Sequence, residues 1–262
     1  MSRLSNNSIV VVGGTTGLGL SAAKAFVAEG ARVVVVGRNP DHVQTAEKEL
    51  GKNAVGLVGD ASESATSLKA ITLAVERFGG FHGLYHVAGG SGRKMGDGPL
   101  HEISDEGWRE TFALNLDSLF YSNRAAVQQF LKQKTSGTIL NMSSVLAFSP
   151  SPKHFATHAY AAAKAAVIGF TRSCAAHYAP SDIRFNAIAP ALVATPMSAR
   201  AQTDETIQRF IRSKQPLDGG RMGKASDVDA AAVYLMSNES RFVTGQVLAV
   251  DGGWSVTEGQ WS

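Results

Sequence analysis

Tyr160 and Lys164 stand four residues apart in Tyr160-Ala161-Ala162-Ala163-Lys164, and on a helix residues at that spacing share one face. A phenol and an ammonium so placed can work on one bound molecule. The phenol ordinarily titrates near ~10, and a neighbouring cation favours its anion, which suits the pair to proton transfer at neutral pH. The same spacing arises by chance in many helices, so the pair acquires meaning only from what precedes it.

What precedes it is a strand, a glycine-rich turn and a helix. Ser8-Ile9-Val10-Val11-Val12 is a β-branched run that reads as a buried parallel strand. Gly13-Gly14-Thr15-Thr16-Gly17-Leu18-Gly19 follows at once, then a helix-forming stretch over 20–29 stopped by Gly30. Glycines let the backbone approach a pyrophosphate, and the helix N-terminus supplies unpaired N–H groups and partial positive charge. The spacing, G-x-x-x-G-x-G, is a variant of the dinucleotide fingerprint.

A second strand over 31–36 completes the unit and ends in Gly37-Arg38-Asn39, where the adenosine ribose of a dinucleotide belongs. An acidic residue there accepts from a free 2′-hydroxyl, whereas an arginine pairs with a 2′-phosphate. Arg38 therefore favours NADP(H), with NAD(H) left possible if Arg38 is only a solvated strand end. Asp41 does not restore NAD, because Asn39 as cap and Pro40 at the first helical position leave Asp41 to serve the helix dipole.

Further strands are expected over 54–58, 83–87, 138–142, 183–188 and 246–250, separated mostly by helix-length segments. The expected fold class is α/β: a doubly wound Rossmann fold whose parallel sheet of about seven strands is covered by helices on both faces. With 262 residues, 44% of them hydrophobic, the chain is expected to form one dinucleotide-binding and catalytic domain over 1–262, with no repeat or linker to divide it. Cys174, the one cysteine, excludes an internal disulfide and reads as a small apolar residue of the helix after Tyr160. No metal-binding cluster is visible. The first strand begins within about ten residues, leaving no room for a signal peptide, and no apolar run is long enough for a bilayer, so a cytoplasmic protein without a membrane partner is expected. A formal charge of +3 with interspersed signs argues against nucleic-acid binding.

Taken in order, these residues resemble the short-chain dehydrogenases/reductases of compact type, 3-oxoacyl-carrier-protein reductases among them, over nearly the whole chain. Besides the glycine turn and Tyr-x-x-x-Lys, the resemblance includes Asp60, Leu114-Asn115-Leu116, Ser143-Ser144, Arg184-Phe185-Asn186-Ala187-Ile188-Ala189-Pro190, Thr195-Pro196, and Thr244-Gly245-Gln246 leading into Val250-Asp251-Gly252-Gly253. It implies that Ser144 polarises the substrate oxygen, that Tyr160 exchanges its proton, and that Lys164 binds the nicotinamide ribose while lowering the tyrosine pKa. Asn115 would help hold a water behind Lys164, though such an Asn is also an ordinary hydrogen-bonder within a helix. Ser143 is the rival of Ser144, and the alignment of the family's active serine with the second position after Asn141-Met142 favours Ser144.

The cofactor contacts the resemblance implies are Gly13, Thr16, Gly17, Leu18 and Gly19 at the pyrophosphate, Arg38 at the 2′-phosphate, Asp60 and Ala61 at adenine, Tyr160 and Lys164 at the ribose, and Thr195 at the carboxamide. Asp60 is equally placed to cap the helix near Ser62, and Thr195 to start a turn with Pro196. A homo-oligomer is implied too, a tetramer packed through the long helices near Asn115 and after Tyr160. Four departures stand out: His86-Val87-Ala88-Gly89 for Asn-Asn-Ala-Gly, Val12 for a threonine, Ala191 for a glycine, and a longer Ser144-to-Tyr160 spacing that contains Pro150 and Pro152. The first of these is expected to weaken the ties between central strands, since histidine replaces one hydrogen bond and valine can only pack.

The substrate pocket is expected from loops over 90–100, 146–158 and 192–216. Arg93 and Lys94 fit either recognition of an anionic substrate or a solvated loop, the ordinary fate of loop cations. His154 and His158 read as loop residues rather than catalysts, and Phe148 and Phe155 are candidates for an apolar lining. The leading expectation is an NAD(P)-dependent oxidoreductase that interconverts a small-molecule carbonyl and a secondary alcohol, with Tyr160 as general acid/base. The alternatives are an NAD-dependent alcohol, steroid or sugar dehydrogenase, and a non-catalytic nucleotide-binding scaffold or redox sensor.

Overall fold

A computed structural model describes residues 2–259. Seven strands form one sheet: β1 (Ser8–Val12), β2 (Arg32–Gly37), β3 (Ala54–Val58), β4 (Gly83–His86), β5 (Gly137–Met142), β6 (Ile183–Pro190) and β7 (Val247–Val250). Every pairing is parallel, in the order β3-β2-β1-β4-β5-β6-β7. All the strands expected from sequence are present, each with ends within two residues of expectation. The order reverses between β1 and β4, and in an open parallel sheet the crevice beyond the strand ends at such a reversal is where ligands bind.

Ten helices cross between the strands among the described residues: α1 (Gly17–Ala28), α2 (Pro40–Leu50), α3 (Ser64–Phe78), α4 (Asp105–Phe112), α5 (Ser118–Gln133), α6 (Pro152–Phe155), α7 (His158–Tyr178), α8 (Ala199–Thr203), α9 (Glu205–Lys214) and α10 (Asp229–Met236). The β-branched strands bury both faces, and the two-residue period divides them between two cores. Ile9, Val11, Val33 and Val35 pack with Phe26 of α1 and Val233 and Met236 of α10. Val10, Val12, Val34 and Val36 pack on the other face with Ile71 of α3, Phe130 of α5 and Ala175 of α7. A smaller third core lies under the loops beyond the strand ends, where Val145, Phe210, Ile211 and Trp254 are buried with Phe155 and Leu192 against them.

Local chemistry accounts for the helix starts. Asn39 caps α2 by accepting from the Asp41 and His42 amides at 2.8 and 3.1 Å, with Pro40 at the first helical position. Helix α1 begins three residues earlier than the hydrophobic pattern suggested, because Gly17, at φ +53°, turns the chain directly into it. The residues that lengthen the Ser144-to-Tyr160 connection fold as α6, begun by Pro152.

The His86-Val87 departure is absorbed differently from the expectation. His86 is fully buried and bonds two hydroxyls of α5, Ser122 Oγ at 2.8 Å and Ser118 Oγ at 3.3 Å. The β1 and β4 ends are tied by backbone instead, the Val87 and Ala88 amides both donating to the Val12 carbonyl at 2.8 and 2.9 Å. Burial, and secondly the charge of Lys164, pull the His86 imidazole down to about 3, so it stays neutral near pH 7.

Cys174 lies in α7, partly buried against the second core. Among the described residues no helix is long and apolar enough to cross a membrane.

Candidate active site

A cleft of about 830 Å³ runs along the carboxyl ends of the strands, from the β2 end across the β1–β4 reversal to the loops beyond β5 and β6. Its β1 end is the glycine turn. Thr16 stands at the N-cap of α1 in extended conformation without a side-chain capping bond, and the first turn carries no acidic residue. A helix start so left is available to an anion. Gly19 lies beneath the turn, where a Cβ would overlap the Gly13 carbonyl oxygen, so only glycine lets α1 approach this closely. Gly13, Thr16, Gly17 and Leu18 line the cleft, whereas Gly19 does not.

At the β2 end the cleft is lined by Arg38, Asn39, His42, Gly59, Asp60 and Ala61. The Arg38 guanidinium lies 3.7 Å from the Asp60 carboxylate, both partly open to solvent. Asp60 also accepts from the Ser62 amide and hydroxyl at 2.9 and 2.7 Å, closing a turn ahead of α3 rather than capping it, since that helix starts at Ser64 after Glu63. His42 was not singled out from sequence; it reaches the corner because the Asn39 cap turns its helix across the strand end.

Beyond β1 the catalytic candidates converge. Ser143 and Ser144 follow β5 and separate in role: Ser143 Oγ donates to the Lys164 carbonyl at 2.8 Å, while Ser144 Oγ accepts from the Leu146 amide at 3.2 Å beside Tyr160. Helix α7 carries Tyr160 and Lys164 on one face, with the ammonium 5.7 Å from the phenol ring centre. Lys164 is only 2% exposed and donates to the Met142 carbonyl at 2.9 Å. Burial pulls its ammonium down to about 8. Burial also pushes the Tyr160 phenol up, opposed by its hydrogen bond with Ser144. The net direction is thus opposite to the downward pull expected from Lys164, because desolvation disfavours phenolate and ammonium alike.

Asn115 sits in a π-helical turn, Ala113–Asp117, that joins α4 to α5. It is fully buried, donating to the Gly90 and Thr111 carbonyls at 2.9 Å each and accepting from the Gly90 amide at 3.1 Å. A Cβ on Gly89 would stand 2.7 Å from Asn115 Oδ1 and 3.2 Å from Lys164 Nζ, so glycine keeps the space where amide and ammonium meet. Strand β5 anchors the helices behind them. Asn141 exchanges hydrogen bonds with Asn123 of α5 at 2.9 and 3.0 Å and donates to Thr171 of α7 at 3.0 Å.

Asp97 was missed from sequence. It is 5% exposed, and its carboxylate accepts from the Ala159 and Tyr160 amides at 3.0 and 2.9 Å, capping the helix that carries Tyr160 and Lys164. Asp97-Gly98-Pro99 reads only as a turn, and nothing local announces a partner 62 residues away.

Thr195 lines the cleft opposite Gly17 and begins a short 3₁₀ turn with Pro196, its amide donating to Ser198 Oγ at 3.0 Å. The 192–216 segment is pinned by Gln215, which accepts from the Leu192 amide at 2.9 Å. Phe155 lines the cleft, but Phe148 is 47% exposed outside it, since α6 folds Phe155 inward against Trp254 at 5.8 Å between ring centres. Neither His154 nor His158 lines the cleft, whereas Arg93, Lys94 and Arg200 do.

The family description "Enoyl-(Acyl carrier protein) reductase" matches residues 12–255. An NADP-dependent (R)-specific alcohol dehydrogenase of Lentilactobacillus kefiri is 34% identical over 97% of this chain and 98% of its own length. The chain belongs to the short-chain dehydrogenase/reductase family. Other members similar to it include a 3-oxoacyl-[acyl-carrier-protein] reductase of Chlamydia muridarum, 32% identical over 96% of this chain and 98% of that protein. A short-chain type dehydrogenase/reductase of Mycobacterium ulcerans superposes with a TM-score of 0.89 at 31% identity, over 97% of this chain and 92% of that one. The 3-ketoacyl-(acyl-carrier-protein) reductase of Brucella melitensis, solved with NADH, gives 0.85 at 26% identity over 97% and 100%. As a member of this family of dehydrogenases and reductases the chain is an oxidoreductase.

Proposed function

We propose that this protein interconverts a small-molecule carbonyl and a secondary alcohol, with NADP(H) as the preferred cofactor and Tyr160 as the proton donor and acceptor. The observation that carries the proposal is the meeting of Ser144, Tyr160 and Lys164 in one cleft at the β1–β4 reversal, beside a helix start left open to an anion.

A nicotinamide dinucleotide, when bound, supplies or accepts the hydride. The chain's own residues fit such a group. The amides at the start of α1 and the turn over 13–18 would hold its pyrophosphate, Arg38 a 2′-phosphate, Asp60 and Ala61 the adenine end, Lys164 ribose hydroxyls, and Thr195 the carboxamide. Ser144 donates to the substrate oxygen and steadies the negative charge that grows there. Tyr160, held protonated by its burial, delivers its proton to that oxygen during reduction and takes it back during oxidation. Lys164, poised near 8, stabilises the resulting phenolate from behind. Asn115 fixes the Gly90 backbone beneath that ammonium, the position from which it would hold a linking water. The reading includes one domain, a cytoplasmic setting and a homo-oligomer.

Replacing Tyr160 by Phe removes the proton donor and little else. Turnover of a ketone panel with NADPH is expected to fall by about 10³-fold, with NADPH affinity by calorimetry within about twofold of wild type. Activity kept in Tyr160→Phe would overturn the mechanism.

A further inference from the structure

The substrate end of the cleft carries more positive charge than its carboxylates answer. Arg93 Nη2 and Arg200 Nη2 both donate to one acceptor, the His154 carbonyl oxygen, at 3.2 and 3.1 Å. Two guanidinium groups thus meet on a neutral oxygen, with Lys94 beside them in the lining. Among the described residues no carboxylate lies within 4 Å of Arg93. Asp97 is near, but both its oxygens are taken by the Ala159 and Tyr160 amides. Asp204 lies 4.0 Å from Arg200 and is itself the cap of α9, accepting from the Thr206 and Ile207 amides at 3.0 and 3.1 Å.

Arg93 is also not on a free loop. Gly92, at φ +71°, packs where a Cβ would meet Asp97 Cβ at 2.8 Å and overlap the Thr111 hydroxyl, so the backbone before Arg93 is fixed against α4. Burial, and next the repulsion of Arg200, pull the Arg93 guanidinium down from its ordinary value, a cost that an anion between the two would reverse.

We propose that Arg93 and Arg200 form an anion subsite at the substrate end of the cleft, which selects carbonyl and alcohol substrates bearing a carboxylate, sulfonate or phosphate away from the reacting carbon. The planar fork of arginine suits such an oxyanion, and a second fork on the same group adds orientation as well as charge. The proposal rests on the oxidoreductase reading above and names its substrate class. The competing role is a clamp in which the two side chains only grip the 146–158 loop.

The test compares 4-acetylbenzoate with its methyl ester, two ketones alike at the reacting carbon, using the intact protein with NADPH. The readout is the ratio of their kcat/KM values, in wild type and in an Arg93→Gln/Arg200→Gln double variant that keeps donors for the His154 carbonyl and loses both charges. Wild type is expected to favour the carboxylate about tenfold or more at low salt, less as salt rises, and the variant to bring the ratio near one. A wild-type ratio near one, or a ratio the variant leaves unchanged, overturns the subsite. Titrating both compounds calorimetrically in the presence of NADP⁺ separates the two readings. Carboxylate-selective binding lost in the variant but without turnover keeps the subsite and fails the oxidoreductase reading; ketone turnover with equal binding of both compounds fails the subsite alone.

Discussion

The two halves of the cleft are built by different means. The half beyond β1, β2 and β3 is lined by a glycine turn and by residues at or just after the strand ends, each positioned by its sequence neighbours and by the sheet. The half beyond β5 and β6 is three loops resting on a separate small core around Trp254, joined by contacts distant in sequence. Trp254 Nε1 donates to the Ser149 carbonyl across 105 residues at 3.1 Å, and Asp97 reaches α7 across 62. A site built on strand ends and one short turn fixes which class of molecule it accepts and tolerates change around it. A side-chain-lined site on loops changes its preference with a few substitutions and leaves the reacting groups where they are.

The halves meet at Lys164, and the largest effect is expected there. Its folded value near 8 lies below the ordinary lysine value of 10.5. Between these values the unfolded chain holds a proton that the folded chain has lost, so stability should rise with pH across that window, by on the order of 3 kcal/mol. Tyr160 shifts the other way, but only above its own ordinary value of 10. Urea midpoints taken from about pH 7 to about pH 10 should therefore climb in wild type and stay flatter in Lys164→Met. Equal slopes would mean the ammonium is not held out of water.

Asp97 is where the loop half reaches into α7. Asp97→Ala leaves two buried amides of α7 without an acceptor, expected to cost about 2 kcal/mol of stability and to lower kcat through displacement of Tyr160. Denaturation and kinetics on one preparation check both, and a variant with wild-type kcat would show that the two halves do not depend on each other. The smallest effect is expected at the β2 end of the cleft. Arg38 is exposed and shares its charge with Asp60, so Arg38→Ala should weaken NADPH binding about tenfold and leave NADH nearly unchanged, by fluorescence titration. Equal loss for both cofactors would remove its role in choosing between them.

The same division decides what could be read from the chain beforehand. Strand positions, two-sided burial and the open helix start follow from β-branched runs and glycine spacing, which act over a few residues. The Asn39 cap and the shared face of Tyr160 and Lys164 were legible for that reason too. The separation of Ser143 from Ser144 needed the carbonyl of Lys164, 21 residues on, to be in place. His86 looked like a lost strand tie because the hydroxyls that receive it come from Ser118 and Ser122, on a helix whose rotation no local pattern fixes. Arg93 fitted both an anion contact and a solvated loop, and only the fold brings Arg200, far along the chain, to the same carbonyl.

That rotation is set by the π-helical turn around Asn115. Such a turn carries one more residue than an α-turn, so α4 and α5 form one rod whose two segments are offset in phase by about 100°. One segment shows Gly107 and Thr111 to the substrate loops, while the other shows Ala126 and Phe130 to the sheet. Removing a single residue there would bring the rod back into register and turn one set of faces away from its partners. The active site thus carries a counting constraint on chain length that no individual side chain expresses.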